Sequence, residues 1–265
     1  MLMEDGQVRD VSAIVPDFCP GALGGGALEV LAAADLPSCP ILDPATRRGS
    51  PLAHPGMIWC IGLNYADHAR EAGMPEPAEP VVFSKATSAL AWPDDPIPWR
   101  SDMTKLDWEV ELGVVIGRPT FEVESSEALE AVLGYTIVND VSERAWQLER
   151  GGQWMKGKSL PGFCPVGPWI ATPDEVADPQ ALRLWCEVDG ERLQDGTTAD
   201  MIFPVAELVS YLSRFARLMP GDLICTGTPA GVGAGLKPPR FLREGSSLRL
   251  GVEGLGEQSQ RVGAR

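Results

Sequence analysis

Leu106–Gly117, LDWEVELGVVIG, carries the reading of this chain. An extended strand sends alternate side chains to opposite faces, so Asp107, Glu109 and Glu111 fall on one face of it. Taken alone, such a run also describes a half-exposed strand whose acidic side meets water. Here the strand continues directly into an apolar stretch, which points it into a core, where like charges ~5–7 Å apart repel strongly without a cation between them. The strand YTIVND ends in a further acid, Asp140, which offers a third oxygen ligand. Carboxylates with no histidine or cysteine at ligand spacing suit a hard ion, Mg²⁺ or Mn²⁺, better than Zn²⁺.

Outward from that strand the chain reads as predominantly β. Strand signals recur at VVFSK (81–85), GPWIA (167–171) and LRLWCEV (182–188), the last followed by Asp189-Gly190 as a hairpin turn, and again at DLIC (222–225) and in a final strand pair. One amphipathic helix is clear: PVAELVSYLSRFARL (204–218) sets Val205, Leu208, Val209, Leu212 and Phe215 on one face behind a starting proline. Residues 1–55 are a weakly patterned leader, with a strand signal at DGQVRDVSAI (5–14), a hinge at GALGGGAL (21–28) and a helix in ALEVLAAADL (27–36). The expectation is a small, shortened N-terminal domain over 1–55 and a catalytic domain over 56–265.

The 265 residues include 22 Lys and Arg against 37 Asp and Glu, a formal net charge of −15. That balance argues against nucleic acid or an anionic membrane as partner, and leaves room for a small anion where cations gather locally. Hydrophobic residues at 44% and charged residues at 22% match a chain able to bury a sizeable core. Six scattered cysteines without a CxxC pair read as reduced thiols of a cytoplasmic protein. The acidic start MLMEDGQVRD is not that of a signal peptide, and no apolar stretch approaches the ~18 residues of a membrane span.

With two histidines in the chain, imidazole chemistry has two candidates. In GLNYADHAREAG (62–73), His68 and Glu71 stand three apart on a short helix and share a face. A carboxylate beside imidazole raises its basicity and fixes its orientation, as a general base acting on water requires; a routine surface pair has the same spacing. Gly62, Asn64 and Gly73 bracket this helix, so it reads as a lid. His54, beside a proline and without an acidic partner, reads as a loop residue.

Gly152 to Ser159 satisfy the P-loop pattern G-x-x-x-x-G-K-[ST]. The flanks do not: a P-loop follows a hydrophobic strand and opens a helix at its Lys-Ser, whereas SERAWQLERGG is polar and helical and Pro161-Gly162 interrupt any following helix. Lys158 remains a cation for a substrate anion. Arg144 and Gln147, three apart after Asp140, turn toward the same place if helical, or form a solvated face. TGTPAGVG (226–233) offers hydroxyls and backbone amides to an anion such as a carboxylate.

Taken in order, GLNYADHAREAG, PVVFSKATSAL, LDWEVELGVVIG, GYTIVNDVSERAWQ, KGKS, PVGPWIAT, DMIFPVAELVSYLS and LMPGDLICTGTPAGVG resemble the fumarylacetoacetate hydrolase family over roughly residues 55–260. SERAWQLERGGQWMKGKS and VEGLGEQSQRV are similar to the branch of 2,4-diketo-3-deoxy-sugar-acid hydrolases and proteins labelled ureidoglycolate lyase. The resemblance implies an α+β, predominantly β fold, a mixed β-sandwich roll that forms a homodimer. It implies Mg²⁺ or Mn²⁺ on Glu109, Glu111 and Asp140, a catalytic lid dyad His68–Glu71, a substrate-facing Lys158, and substrate binding by Arg144, Gln147 and Thr228. It implies C–C hydrolysis of a 2,4-dioxo acid, an acylpyruvate or diketo sugar acid, to pyruvate and a carboxylic acid. Alternatives are an oxaloacetate-type decarboxylase or tautomerase on the same site, or a non-catalytic metal-binding scaffold. Two departures stand out: Pro161 replaces an aspartate many relatives have three residues after the lysine, and the leader is short.

Overall fold

The computed structural model describes residues 6–43 and 45–263. Its central sheet is built around Val110–Ile116, with strands in the spatial order Val81–Lys85, Ile58–Gly62, Leu223–Cys225, Val110–Ile116 and Val132–Asn139. All neighbours are antiparallel except Ile58–Gly62 and Leu223–Cys225, which run parallel. Both faces of this sheet are covered, which is why Leu112–Ile116 carries no polar side chain at any successive position. Val110, Leu112, Val114 and Ile116 enter the main core on one side. Val115, with Ile58, Cys60, Val138, Leu223 and Cys225, fills a second core on the other.

A second sheet closes the main core, in the spatial order Glu191–Thr197, Arg183–Val188, Ser247–Val252, Gly256–Gly263 and Ile97–Pro98. Its Leu184, Cys186, Val188, Leu248, Leu250 and Val252 are buried in that core, so the two sheets form a sandwich. Asp189 and Gly190 link the first two of these strands at φ 52° and 84°, the left-handed pair a type I′ turn requires. Among the described residues fourteen strands stand against six helices, none longer than the nine residues of Val205–Ser213, so the α+β, predominantly β expectation holds. No helix among them is long and apolar enough to cross a membrane, and all six cysteines are unbonded.

Several local expectations are corrected. The amphipathic helix buries Val205, Leu208, Val209 and Leu212 but stops at Ser213, so Phe215 leaves the helical face and is 70% exposed. GPWIA forms no strand, because Pro168 has no N–H for a ladder; only Ala171 pairs, in a single bridge to Tyr135. Among the described residues DGQVRDVSAI forms isolated bridges, Arg9 to Ile41 among them, and no strand, and residues 1–5 lie outside the described residues. The expected hinge opens with a helix, Pro20–Gly24, followed by Ala27–Ala32. Val11, Val15, Ala27 and Leu31 make a small cluster of their own there.

Candidate active site

The register of the two longest central strands gathers the acids. Val110 faces Asn139, so the next pair outward is Glu109 with Asp140, and the Asp140 N–H donates to the Glu109 carbonyl at 2.9 Å. With a side-chain period of two, Glu109, Glu111 and Asp140 project from the same face, that of the second core. Candidate ligand oxygens of the three lie within 4.8 Å of one another, and the residues are 4, 2 and 0% exposed. Asp107 does not join them, contrary to the simple alternation. It sits on a separate short strand, Leu106–Asp107, and accepts from Arg144 Nε at 2.8 Å and from the N–H groups of Gly233 and Ala234 at 2.7 and 3.0 Å.

Three buried cations answer the carboxylates. Lys158 Nζ donates to Glu109 Oε2 and Asp140 Oδ2, each at 2.6 Å. Arg144 Nη2 donates to Glu109 Oε1 at 2.7 Å, and its Nη1 reaches Gln147 Oε1 at 3.1 Å. Lys85 Nζ donates to Asp140 Oδ1 and to the Val141 carbonyl. Burial pushes the Lys158 ammonium toward neutrality, but Asp140 and Glu109 outweigh it and keep it charged. Burial likewise pushes the Glu109 carboxyl up, and Arg144 and Lys158 outweigh it, holding Glu109 below the usual carboxylate range. Glu111 has no such partner: burial, then Asp140 and Glu109, raise it well above that range against the opposing Gly227 N–H at 2.9 Å. A buried all-oxygen set with one carboxylate left short of positive charge fits a hard divalent cation.

These groups open onto a cavity of about 330 Å³ lined by His68, Glu71, Glu109, Glu111, Arg144, Gln147, Lys158 and Thr228, together with apolar side chains. A second, more open recess of about 430 Å³ at Arg183, Trp185 and Glu257 lies on the other sheet and holds none of the expected site residues. His68 and Glu71 ride on the helix Ala66–Glu71, with His68 Nδ1 at 3.4 Å from Glu71 Oε2. The Gly231 N–H donates to both Glu71 oxygens at 3.0 and 3.2 Å and fixes the carboxylate. With Nδ1 facing Glu71, Nε2 is the ring nitrogen left without that partner. Thr228 Oγ1 donates to the Val110 carbonyl and accepts from Gln194, each within 2.8 Å, so only acceptor capacity remains on its hydroxyl.

The P-loop pattern has no P-loop geometry. Met155–Lys158 is a short helix that ends at the lysine instead of starting there. A Cβ on Gly157 would lie 2.5 Å from the Glu143 carbonyl and 2.6 Å from the Gln147 nitrogen. Only a glycine lets this turn press against the helix Arg144–Leu148, and that contact brings Lys158 to the carboxylates.

The family model described as "Fumarylacetoacetate (FAA) hydrolase C-terminal" matches residues 57–263. This chain belongs to the fumarylacetoacetate hydrolase family. It is 55% identical over 258 residues, 97% of this chain and 92% of the other, to a Burkholderia cenocepacia (strain HI2424) protein that carries only a provisional hydrolase name. The solved fumarylacetoacetate hydrolase of psychrophilic Exiguobacterium antarcticum superposes with a TM-score of 0.89 at 39% identity, covering 99% of this chain and 94% of that one. A 2-hydroxyhepta-2,4-diene-1,7-dioate isomerase from Mycobacterium marinum superposes with a TM-score of 0.72 at 36% identity, covering 86% and 85%. The architecture is thus that of a family of enzymes that includes hydrolases and isomerases.

Within this fumarylacetoacetate hydrolase fold, sequence reasoning missed Lys85. It ends the strand Val81–Lys85, faces Ile58 across the sheet and is 1% exposed. The available signal is alternation: Val81, Phe83 and Lys85 share a face, and a lysine closing an apolar face needs a buried acid. Also missed is an aromatic wall, Phe83 against Trp154 at 5.3 Å between ring centroids, with Lys158 Nζ 5.1 Å from the Phe83 ring.

Proposed function

We propose that this chain hydrolyses the C–C bond of a 2,4-dioxo acid, an acylpyruvate or 2,4-diketo-3-deoxy sugar acid, to pyruvate and a carboxylic acid. The observation that carries the reading is the His68 imidazole, paired with Glu71, lining the same cavity as the buried carboxylates Glu109 and Glu111 and Lys158. Mg²⁺ or Mn²⁺ held by Glu109, Glu111 and Asp140 would supply Lewis-acid polarisation of a 2-oxo acid. His68 Nε2 takes a proton from water, and the hydroxide adds to the C4 carbonyl. The C3–C4 bond then breaks, its electron pair passing to the pyruvate enolate as the new carboxylic acid departs. The Lys158 ammonium neutralises the enolate oxygen, and protonation of C3 gives pyruvate. Arg144 and Gln147 orient the substrate from the helix Arg144–Leu148, and Thr228 accepts a hydrogen bond from it. The same reading carries a small N-terminal domain over 1–55, a catalytic domain over 56–265, and a cytoplasmic homodimer.

The isomerase name of the Mycobacterium marinum neighbour favours a second reading, tautomerisation or decarboxylation of a 2-oxo acid on the same groups without water attack. A panel of acylpyruvates, diketo sugar acids and oxaloacetate, assayed with each metal for loss of enol absorbance and for products, separates the two. Pyruvate together with an equimolar carboxylic acid supports hydrolysis. An isomer, or carbon dioxide, as sole product supports the second reading, and no turnover of any substrate leaves a binding scaffold.

A further inference from the structure

The cavity is graded along its depth. Its inner end is the carboxylate and cation cluster, where every charged group is at most 7% exposed. Its apolar walls are Leu63, Met74, Phe83, Leu148, Trp154 and Val232. Met74 and Leu148 are 52 and 58% exposed, which sets them at the opening. The Trp154 ring occupies the space a Cβ at Gly62 would need and meets the edge of Phe83, so one side of the outer cavity is aromatic. A dioxo acid whose carboxylate and oxo groups reach the inner end therefore lays the remainder of its chain along an apolar wall.

Charge sharpens the same point. Among the described lining residues the only permanent cations are Arg144 and Lys158. Both sit at the inner end, Arg144 on Asp107 and Glu109 and Lys158 on Glu109 and Asp140, where in the reading above they serve the dioxo head and not the tail. The other ionisable lining groups are His68 and the acids Glu71, Glu109 and Glu111. A second carboxylate on the substrate's tail meets an apolar wall that offers it no ammonium or guanidinium, since Arg144 and Lys158 stand at the inner end with the dioxo head.

We infer that the substrate is a monoacid with an apolar, uncharged tail, alkyl or aryl, and that diacids and polyhydroxylated chains are discriminated against by the wall of Leu63, Met74, Phe83, Leu148, Trp154 and Val232. This rests on the dioxo-acid reading above and narrows it to apolar acylpyruvates. The wall residues are specificity determinants and take no part in bond making.

The test compares two seven-carbon pairs that differ only at the far end. The cleavable pair is 2,4-dioxoheptanoate and 2,4-dioxoheptanedioate, compared by kcat/KM. The pair lacking the 4-oxo group, 2-oxoheptanoate and 2-oxoheptanedioate, has no C–C bond to hydrolyse and is compared by calorimetry on the Mg²⁺-supplied protein. The monoacid is expected to win in both, by about 10-fold or more. Leu148→Arg, at an exposed rim position that accepts a long polar side chain, is expected to narrow or reverse both ratios. A diacid that binds or reacts as well as the monoacid in the wild-type protein overturns the inference, as does failure of 2-oxoheptanoate to bind. Tighter binding of the monoacid without cleavage of either dioxo acid keeps the inference and sinks the hydrolase reading instead.

Discussion

Asp107 is the anchor of Arg144: Nε donates to Asp107 Oδ2 at 2.8 Å, while Nη2 of the same guanidinium reaches Glu109 Oε1 at 2.7 Å. One arginine thus ties the loop at Gly233 and Ala234, through Asp107, to the carboxylate cluster. Removing one member of a buried pair strands the other. Asp107→Ala is expected to cost about 3–5 kcal/mol in urea unfolding, far more than an exposed acid would. A loss below about 1 kcal/mol would show that Arg144 finds another partner.

Glu111 predicts a linked pH effect. Its carboxyl is raised in the folded protein by burial first and then by Asp140 and Glu109, so the metal-free fold retains a proton there above the ordinary carboxylate range. The sign follows: the stability this proton gives is present at low pH and lost as pH rises through the raised value. A divalent ion must expel the proton, so Mn²⁺ affinity is expected to rise with pH across that window, with proton release visible by calorimetry in buffers of different ionisation enthalpy. Glu111→Gln should melt at or above the wild-type temperature without metal, yet lose most of the Mn²⁺-induced rise. A full Mn²⁺ shift in this variant excludes Glu111 as a ligand.

His68→Ala is expected to lower hydrolysis by about 10²–10⁴-fold while Mn²⁺ binding stays near wild type. The expectation follows from its place on a helix separate from all three carboxylates. Wild-type turnover by His68→Ala would reduce the dyad to a structural pair.

Gly157 and Gly152 give a paired comparison. A Cβ at Gly157 meets backbone, whereas Gly152 has φ 73° but nothing within 4 Å. Gly157→Ala should cost about 1–3 kcal/mol of stability and shift Lys158 off the carboxylates, cutting kcat. Gly152→Ala should cost only the local backbone strain and leave kcat nearly intact. Calorimetry should find no MgATP binding in either variant or in the wild type. Micromolar MgATP affinity that Gly157→Ala abolishes would restore a nucleotide role.

Much of this site was legible because its groups obey short periods. Two-residue alternation unites Glu109 and Glu111, and three-residue helical spacing unites His68 with Glu71 and Arg144 with Gln147. Alternation over-reached at Asp107, since nothing in LDWEV marks the break between its strand and the next. Helical periodicity over-reached at Phe215, since no glycine or proline stands between Ser213 and Pro220 to mark the end. The partner of Lys85 was hidden for a different reason: Asp140 is 55 positions away, and no local pattern encodes which acid a strand-end lysine will meet.

The register that joins Glu109 to Asp140 also orders events in time. Those acids lie on consecutive strands, so a chain emerging from its N-terminus can pair them as soon as residue 140 is out, a low-contact-order event. Arg144 and Lys158, the two cations that neutralise Glu109, come later in the chain. Until they arrive, closing the hairpin drives carboxylates together with only Lys85 to oppose their repulsion. Glu109 therefore reaches its buried ion pairs only after Lys158 has joined the chain.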